Sequence, residues 1–221
     1  NRQEKSKLLT TTKNQESAYQ SLLAEKERQH EQFEKELSNL EAELQIAIDP
    51  SKIAPSGSGV LKWPVANPFV TQYFGNTSFA TQNPQVYGGK GHNGIDLRAP
   101  VGTIVRAALD GVVEATGNTD LQKGCYSYGK WVLIRHGNGV STMYAHLSSI
   151  SVTQGDRVST SEIIGYSGNT GASTGPHLHF TVYATEGVKV QRFSSSINCK
   201  NVSIPISIGG FNSYLNPLSY L

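Results

Sequence analysis

"GPHLHF", residues 175–180, is the stretch on which the fold turns. In a β-strand, residues i and i+2 share a face, so His177 and His179 present two imidazoles side by side, roughly 7 Å apart along the backbone. Leu178 and Phe180 then point the other way, into a core. The chain has only six histidines. Two of them spent here predict a half-buried strand with a chemically loaded outer face.

The same alternation extends outward. "TIVRAA", "GVVEAT", "KWVLIRHGNG", "VSTMYAHL", "DRVSTSEIIGYSG" and "HLHFTVYA" are short β-branched or alternating runs separated by turn signals. "GNG" at 137–139 fits a hairpin turn between two strands. No helical period longer than two turns occurs after Trp63, so residues 63–221 are expected to form a mainly antiparallel β-domain.

Residues 1–48 follow another period. They lack Gly and Pro and carry a 3–4 spacing through Leu9, Tyr19, Leu23, Phe33, Leu37, Leu40, Leu44 and Ala47. Thr12, Glu16, Lys26 and His30 share that register, so the apolar seam is good only from Phe33 onward. The pattern predicts a long helix in an antiparallel or intermolecular coiled coil. It should stop at Asp49-Pro50, because proline disfavours helical geometry in the residue before it. "PSGSG" at 55–59 reads as a flexible linker. The expected organisation is a helical segment over 1–49, a linker over 50–62 and a β-rich domain over 63–221.

The 221 residues carry a formal net charge of +2. Residues 1–49 hold seven Lys/Arg and ten Asp/Glu, and the remainder holds twelve and seven, giving −3 and +5. The excess of +5 decides no partner, and no nucleic-acid partner is expected. No apolar run reaches the roughly 18 residues needed to span a bilayer. With no initiator Met and no signal-peptide pattern at its start, the chain reads as a fragment of something longer. Cys125 and Cys199 form no Cys-x-x-Cys pair, which argues against a zinc knuckle. They are either two free thiols or a disulfide, and a disulfide implies an oxidising compartment.

"GHNGID" adds His92 and Asp96, flanking a bend that enters the strand "IDL". Together with His177 and His179 they make two short motifs of the usual non-thiol zinc ligands. Three such ligands and an open position make a catalytic site, and two His with one Asp leave a net charge of +1 on the site. Spacing alone does not say which three ligate. No H-E-x-x-H places a glutamate base, so acid–base work falls to a spare member of the H-x-H pair and to His146, at the end of an apolar strand. His136, beside a turn, and His30, in the helical seam, read as structural. Nucleophile elbows and phosphate-binding glycine loops are not found.

"GHNGIDL", "MYAHLSSI", "GDRV…IIGYSGNTGASTGPHLHF" and the closing "NPLSYL" resemble the lysostaphin/LytM-type zinc endopeptidases that cut peptidoglycan peptides. The resemblance covers roughly residues 63–221. It implies that His92, Asp96 and His179 hold Zn²⁺, that His146 and His177 flank the reacting water, and that the substrate is a peptidoglycan peptide stem or bridge. Ser161 stands where that family commonly has Gly, and the loops holding Cys125 and Cys199 are longer than in its compact forms. In that fold such loops wall the substrate groove, so a Cys125–Cys199 bridge is expected to tie two walls together. The N-terminal helix resembles those of division-associated murein hydrolases, implying a bacterial, extracytoplasmic location and a protein partner or self-association through residues 1–48. The rival expectation is a non-catalytic LytM-like activator or cell-wall binding module. Such relatives typically lack some of the five site residues, whereas all five are present here.

Overall fold

Alternating side chains can bury one face of a sheet only if neighbouring strands keep register, and twelve strands do so among the described residues. The structure, a computed structural model, describes residues 2–84, 87 and 89–221, with side chains from Thr11 onward, so the side chain of Leu9 in the predicted seam lies outside the described residues. In chain order the elements are α1 (Arg2–Glu43), β1 (Val70–Gln72), α2 (Ser78–Gln82), β2 (Ile95–Arg98), β3 (Ile104–Arg106), β4 (Gly111–Asn118), β5 (Lys130–Arg135) and β6 (Val140–Ile150). They continue as β7 (Arg157–Val158), β8 (Ile163–Ser167), β9 (His177–Ala184), β10 (Val188–Phe193), β11 (Val202–Ser207) and β12 (Tyr214–Leu215). The main sheet runs β1-β2-β9-β6-β5-β4-β7, with β12 on β9 and β8 bridging β6 to β3; β10 and β11 form a separate hairpin. Every pairing among these strands is antiparallel.

The alternation of β9 sorts its side chains between two cores. Leu178, Phe180 and Val182 enter the larger cluster with Ile95, Leu97, Tyr144 and Ile164. On the opposite face Tyr183 packs with Trp131, Met143, Ala145 and Tyr214. His177 and His179 share that second face at the start of the strand, where the Tyr128 ring lies 6.0 Å from that of His179. Beside them, β6 changes partners: Ala145 pairs with His179 of β9, whereas Leu147 pairs with Ser167 of β8. The change is made through a bulge at His146, whose φ is +60°. His146 therefore sits within a longer strand and not at its end, because β6 continues to Ile150.

Two expectations for the N-terminal region are revised. The helix ends at Glu43, six residues before Asp49, because the chain turns extended and the Ile46 amide bonds the carbonyl of Ile208 at 2.6 Å. The segment 55–62 is not free either: the amides of Gly57 and Leu61 bond Ser219 and Tyr220 carbonyls, and Leu61 is buried in the main core. Phe33 and Leu37 of the helical seam are buried, against Phe193, Val202, Ile204, Ile206 and the Cys125–Cys199 disulfide instead of a second helix. The earlier seam residues Tyr19 and Leu23 stay exposed. No helix is long and apolar enough to cross a membrane among the described residues.

Candidate metal centre

The register of β2 against β9 assembles the centre. Asp96 lies directly opposite His179, and Arg98 opposite His177. His92 precedes β2 and is fixed by a bridge to Gly75. Between them, Gly94 lets the two backbones approach: a Cβ there would stand 2.5 Å from the Phe180 carbonyl oxygen and 3.0 Å from the His179 ring.

Three donor atoms converge. His179 Nδ1 lies 3.0 Å from Asp96 Oδ1, His92 Nε2 lies 3.3 Å from the same oxygen, and the two nitrogens are 3.1 Å apart. Ligands about 2.1 Å from a tetrahedral zinc stand about 3.4 Å from one another, so the three atoms already form nearly one face of such a polyhedron. His92 Nδ1 donates to the Tyr73 carbonyl at 3.0 Å. A carbonyl only accepts, so Nε2 of the neutral ring offers a lone pair toward the carboxylate. Two acceptors at 3.3 Å repel unless a cation lies between them, and the donor set fits zinc. His179 Nε2 is held at 2.8 Å by the Thr181 hydroxyl, which leaves Nδ1 for the metal.

His146 and His177 complete the ring of imidazoles, their centroids 4.6 Å apart. Each has its Nδ1 committed to a carbonyl, that of Thr170 or Gly175, both at 2.8 Å. Each therefore keeps Nε2 for chemistry, and that of His177 lies 3.7 Å from Asp96 Oδ1. Burial, reinforced by His177 and His179, pushes His146 down to about 3. Burial opposes ionisation of Asp96, yet the adjacent His179 and His92 hold its carboxyl well below the usual carboxylate range. The site thus pairs one anionic ligand, Asp96, with a buried His146 whose ring is held neutral.

All five expected site residues lie together here. His136 lies elsewhere, buried between the Asp110 carbonyl and the Thr142 hydroxyl. Cys125 and Cys199 are bonded to each other. Sequence reasoning missed Thr181, although its i+2 spacing from His179 places it on the same face. It did not name the residues by which α1 reaches the centre: His30, Glu34 and Glu41 line the same cavity of about 440 Å³ as the metal-ligating side chains.

Comparison with known proteins agrees with this chemistry. Residues 90–192 match the family model described as peptidase family M23. Over 89 residues the chain is 55% identical to the DD-carboxypeptidase/endopeptidase Mpg of Neisseria meningitidis serogroup B, covering 40% of this chain and 19% of that protein. It is 48% identical to the peptidoglycan DD-endopeptidase ShyA of Vibrio cholerae, again over 89 residues, 40% of this chain and 19% of the other. The chain thus spans about a fifth of the length of these curated relatives. The catalytic domain of the antimicrobial peptidase lysostaphin from Staphylococcus simulans superposes with a TM-score of 0.48 at 25% identity, over 68% of this chain and 90% of that one.

Proposed function

We propose, from the match of residues 90–192 to peptidase family M23, that this chain is a zinc-dependent endopeptidase hydrolysing the peptide cross-links of bacterial peptidoglycan. The observation that carries the proposal is the convergence of His92 Nε2, Asp96 Oδ1 and His179 Nδ1 beside two further imidazoles. When bound there, zinc supplies a Lewis acid that polarises the scissile carbonyl and acidifies water toward a pKa of about 7.

The chain's own residues do the rest. His92 and His179 are locked in their ligating orientations by the Tyr73 carbonyl and the Thr181 hydroxyl. His146, held neutral by burial, accepts a hydrogen bond from the attacking water at Nε2 and so orients it. His177 takes up the proton at its free Nε2 and returns it to the leaving amine. Its Nδ1–H stays on the Gly175 carbonyl throughout, so the ring does not rotate between the two transfers. The activator reading is not favoured by any feature of the site.

The peptidoglycan named for the ShyA relative, together with the Cys125–Cys199 disulfide, supports an extracytoplasmic location. The exposed Tyr19, Leu22 and Leu23 of α1 support binding of a protein partner along that stretch. Mass spectrometry of cross-linked muropeptide dimers incubated with zinc-loaded protein tests the activity. Monomers whose summed mass exceeds the dimer by one water are expected. His146→Ala or His177→Ala should slow their release about 10²–10⁴-fold with zinc retained. Intact dimers after prolonged incubation, whether or not α1 is displaced, would overturn the proposal.

A further inference from the structure

Resting on the hydrolase reading, we infer that Arg98 determines specificity by binding a free carboxylate on the residue whose amine leaves. The bonds cleaved are then those whose nitrogen stands on a carboxylate-bearing carbon. Sheet register places the guanidinium. Val70 of β1 pairs with Leu97 of β2, and both pack into the larger core, so Phe69 and Arg98 turn to the opposite face. There Arg98 lies directly opposite His177, one rung along from the Asp96–His179 pair. Cβ atoms of directly opposed residues stand about 5 Å apart. An arginine at this position therefore reaches the ground beside the imidazole that protonates the leaving amine.

The side chain is held in place without being used up. Its guanidinium lies over the exposed Phe69 ring, 4.6 Å from the centroid, and the Arg98 amide donates to the Phe69 carbonyl at 2.9 Å. A guanidinium stacked by its face keeps its in-plane N–H donors for a ligand. By contrast, Arg135 of β5 spends its Nε on Glu114 at 2.9 Å, and Arg106 of β3 donates to the Ser161 carbonyl at 2.9 Å. Arg98 is exposed and takes part in no ion pair among the described residues. An arginine already ordered on an aromatic ring loses less side-chain freedom when an anion arrives.

The chemistry of the bond selects the ligand. Hydrolysis adds water across the amide and frees an amine. A peptide cross-link offers that amine in one of two settings: on a carbon bearing a free carboxylate, or on a carbon bearing only hydrogens or a further amide. In the first, the carboxylate carbon stands two bonds from the leaving nitrogen. With that nitrogen at His177 Nε2, the carboxylate comes within reach of Arg98, and two N–H groups of the fork can take its two oxygens. A glycine bridge or a lysine side-chain amine brings no such group and leaves Arg98 without an anion.

The test uses the full zinc-loaded chain, Arg98→Gln and Arg98→Lys. Its substrates are cross-linked muropeptide dimers whose carboxylate beside the scissile nitrogen is either free or amidated. Two quantities are read: kcat/KM for cleavage, and the Kd, by protein-observed NMR titration, of the amine-bearing monomer in its acid and amide forms. The parent should favour the acid by about tenfold or more in both. In Arg98→Gln the acid values should fall to the level of the amide values with zinc content retained. Arg98→Lys keeps the charge but not the fork, and should recover part of the preference. No preference in the parent, or an equal preference in Arg98→Gln, would overturn the carboxylate site. Acid-selective binding of the monomer with neither dimer cleaved would leave that site standing and remove the hydrolase reading, so the two failures are distinguishable.

Discussion

At His146 the chain accepts a left-handed backbone, φ +60°, that a non-glycine residue rarely adopts. In return, the bulge aims an imidazole of β6 at the face where β9 presents His177 and His179. Such strain persists only where surrounding structure holds it, here through the His146 amide bonded to the Tyr128 carbonyl and Nδ1 bonded to the Thr170 carbonyl. Thr181 acts on the metal by the same logic of orientation, through its 2.8 Å contact to His179 Nε2. Thr181→Val keeps the shape and removes that contact, so zinc affinity measured by competition with a chromogenic chelator should fall about 10–100-fold. Unchanged affinity would mean that packing alone orients the ring. The H-x-H pair and its inward Leu178 and Phe180 were legible from alternation. Tyr73, Thr170 and Gly175 were not, because they act through main-chain carbonyls that every residue possesses. Ser161 was legible as a departure from the family, and it does occupy a left-handed turn with φ +69°.

Individual elements were read unevenly for a physical reason. Strand periodicity reports which residues share a face, and β9 keeps that alternation, although it is buried on both faces from Leu178 onward and not half-buried as its sequence implied. Helical periodicity likewise reports that Phe33 and Leu37 need cover, but an apolar stripe fits a sheet surface as well as a second helix. The sheet surface that covers this stripe was therefore not visible, and neither was the position of Glu34 in the cavity. That position has a pH consequence. Burial raises the docked Glu34 to about 7 from an ordinary 4.5, with Glu41 repelling it and His30 and Lys90 attracting it. A raised folded-state value means that docking is strongest below pH 4.5 and weakens as pH rises through about 7. In metal-free protein, amide exchange over residues 29–44 should thus accelerate more between pH 5 and pH 8 than the intrinsic chemical rate does. Glu34→Gln should remove most of that excess, and equal excess in the two proteins would refute the assignment.

Across the whole molecule, one covalent link joins what the sheet leaves separate. Cys125 and Cys199, 74 residues apart in sequence, are disulfide-bonded beneath Phe33 and Leu37. The bond ties the loop after β4 to the loop after β10. Closing a loop of that length contributes about 4 kcal/mol on the chain-entropy account. Urea unfolding of Cys125→Ser/Cys199→Ser should show a loss of that order, and a loss below about 1 kcal/mol would place the stability elsewhere. Sequence could raise this pairing only as an expectation, because two cysteines in polar loops carry no distance information. Everything functional depends on the metal that the assembled sheet is shaped to grip. X-ray absorption of the zinc-loaded chain, repeated on His92→Ala and Asp96→Ala, measures that grip most directly. One zinc per chain is predicted, bound by two imidazole nitrogens at about 2.0–2.1 Å and by oxygen ligands, with binding lost in both variants. Zinc held equally well without His92 or Asp96, or a first shell lacking two imidazoles, would contradict the account.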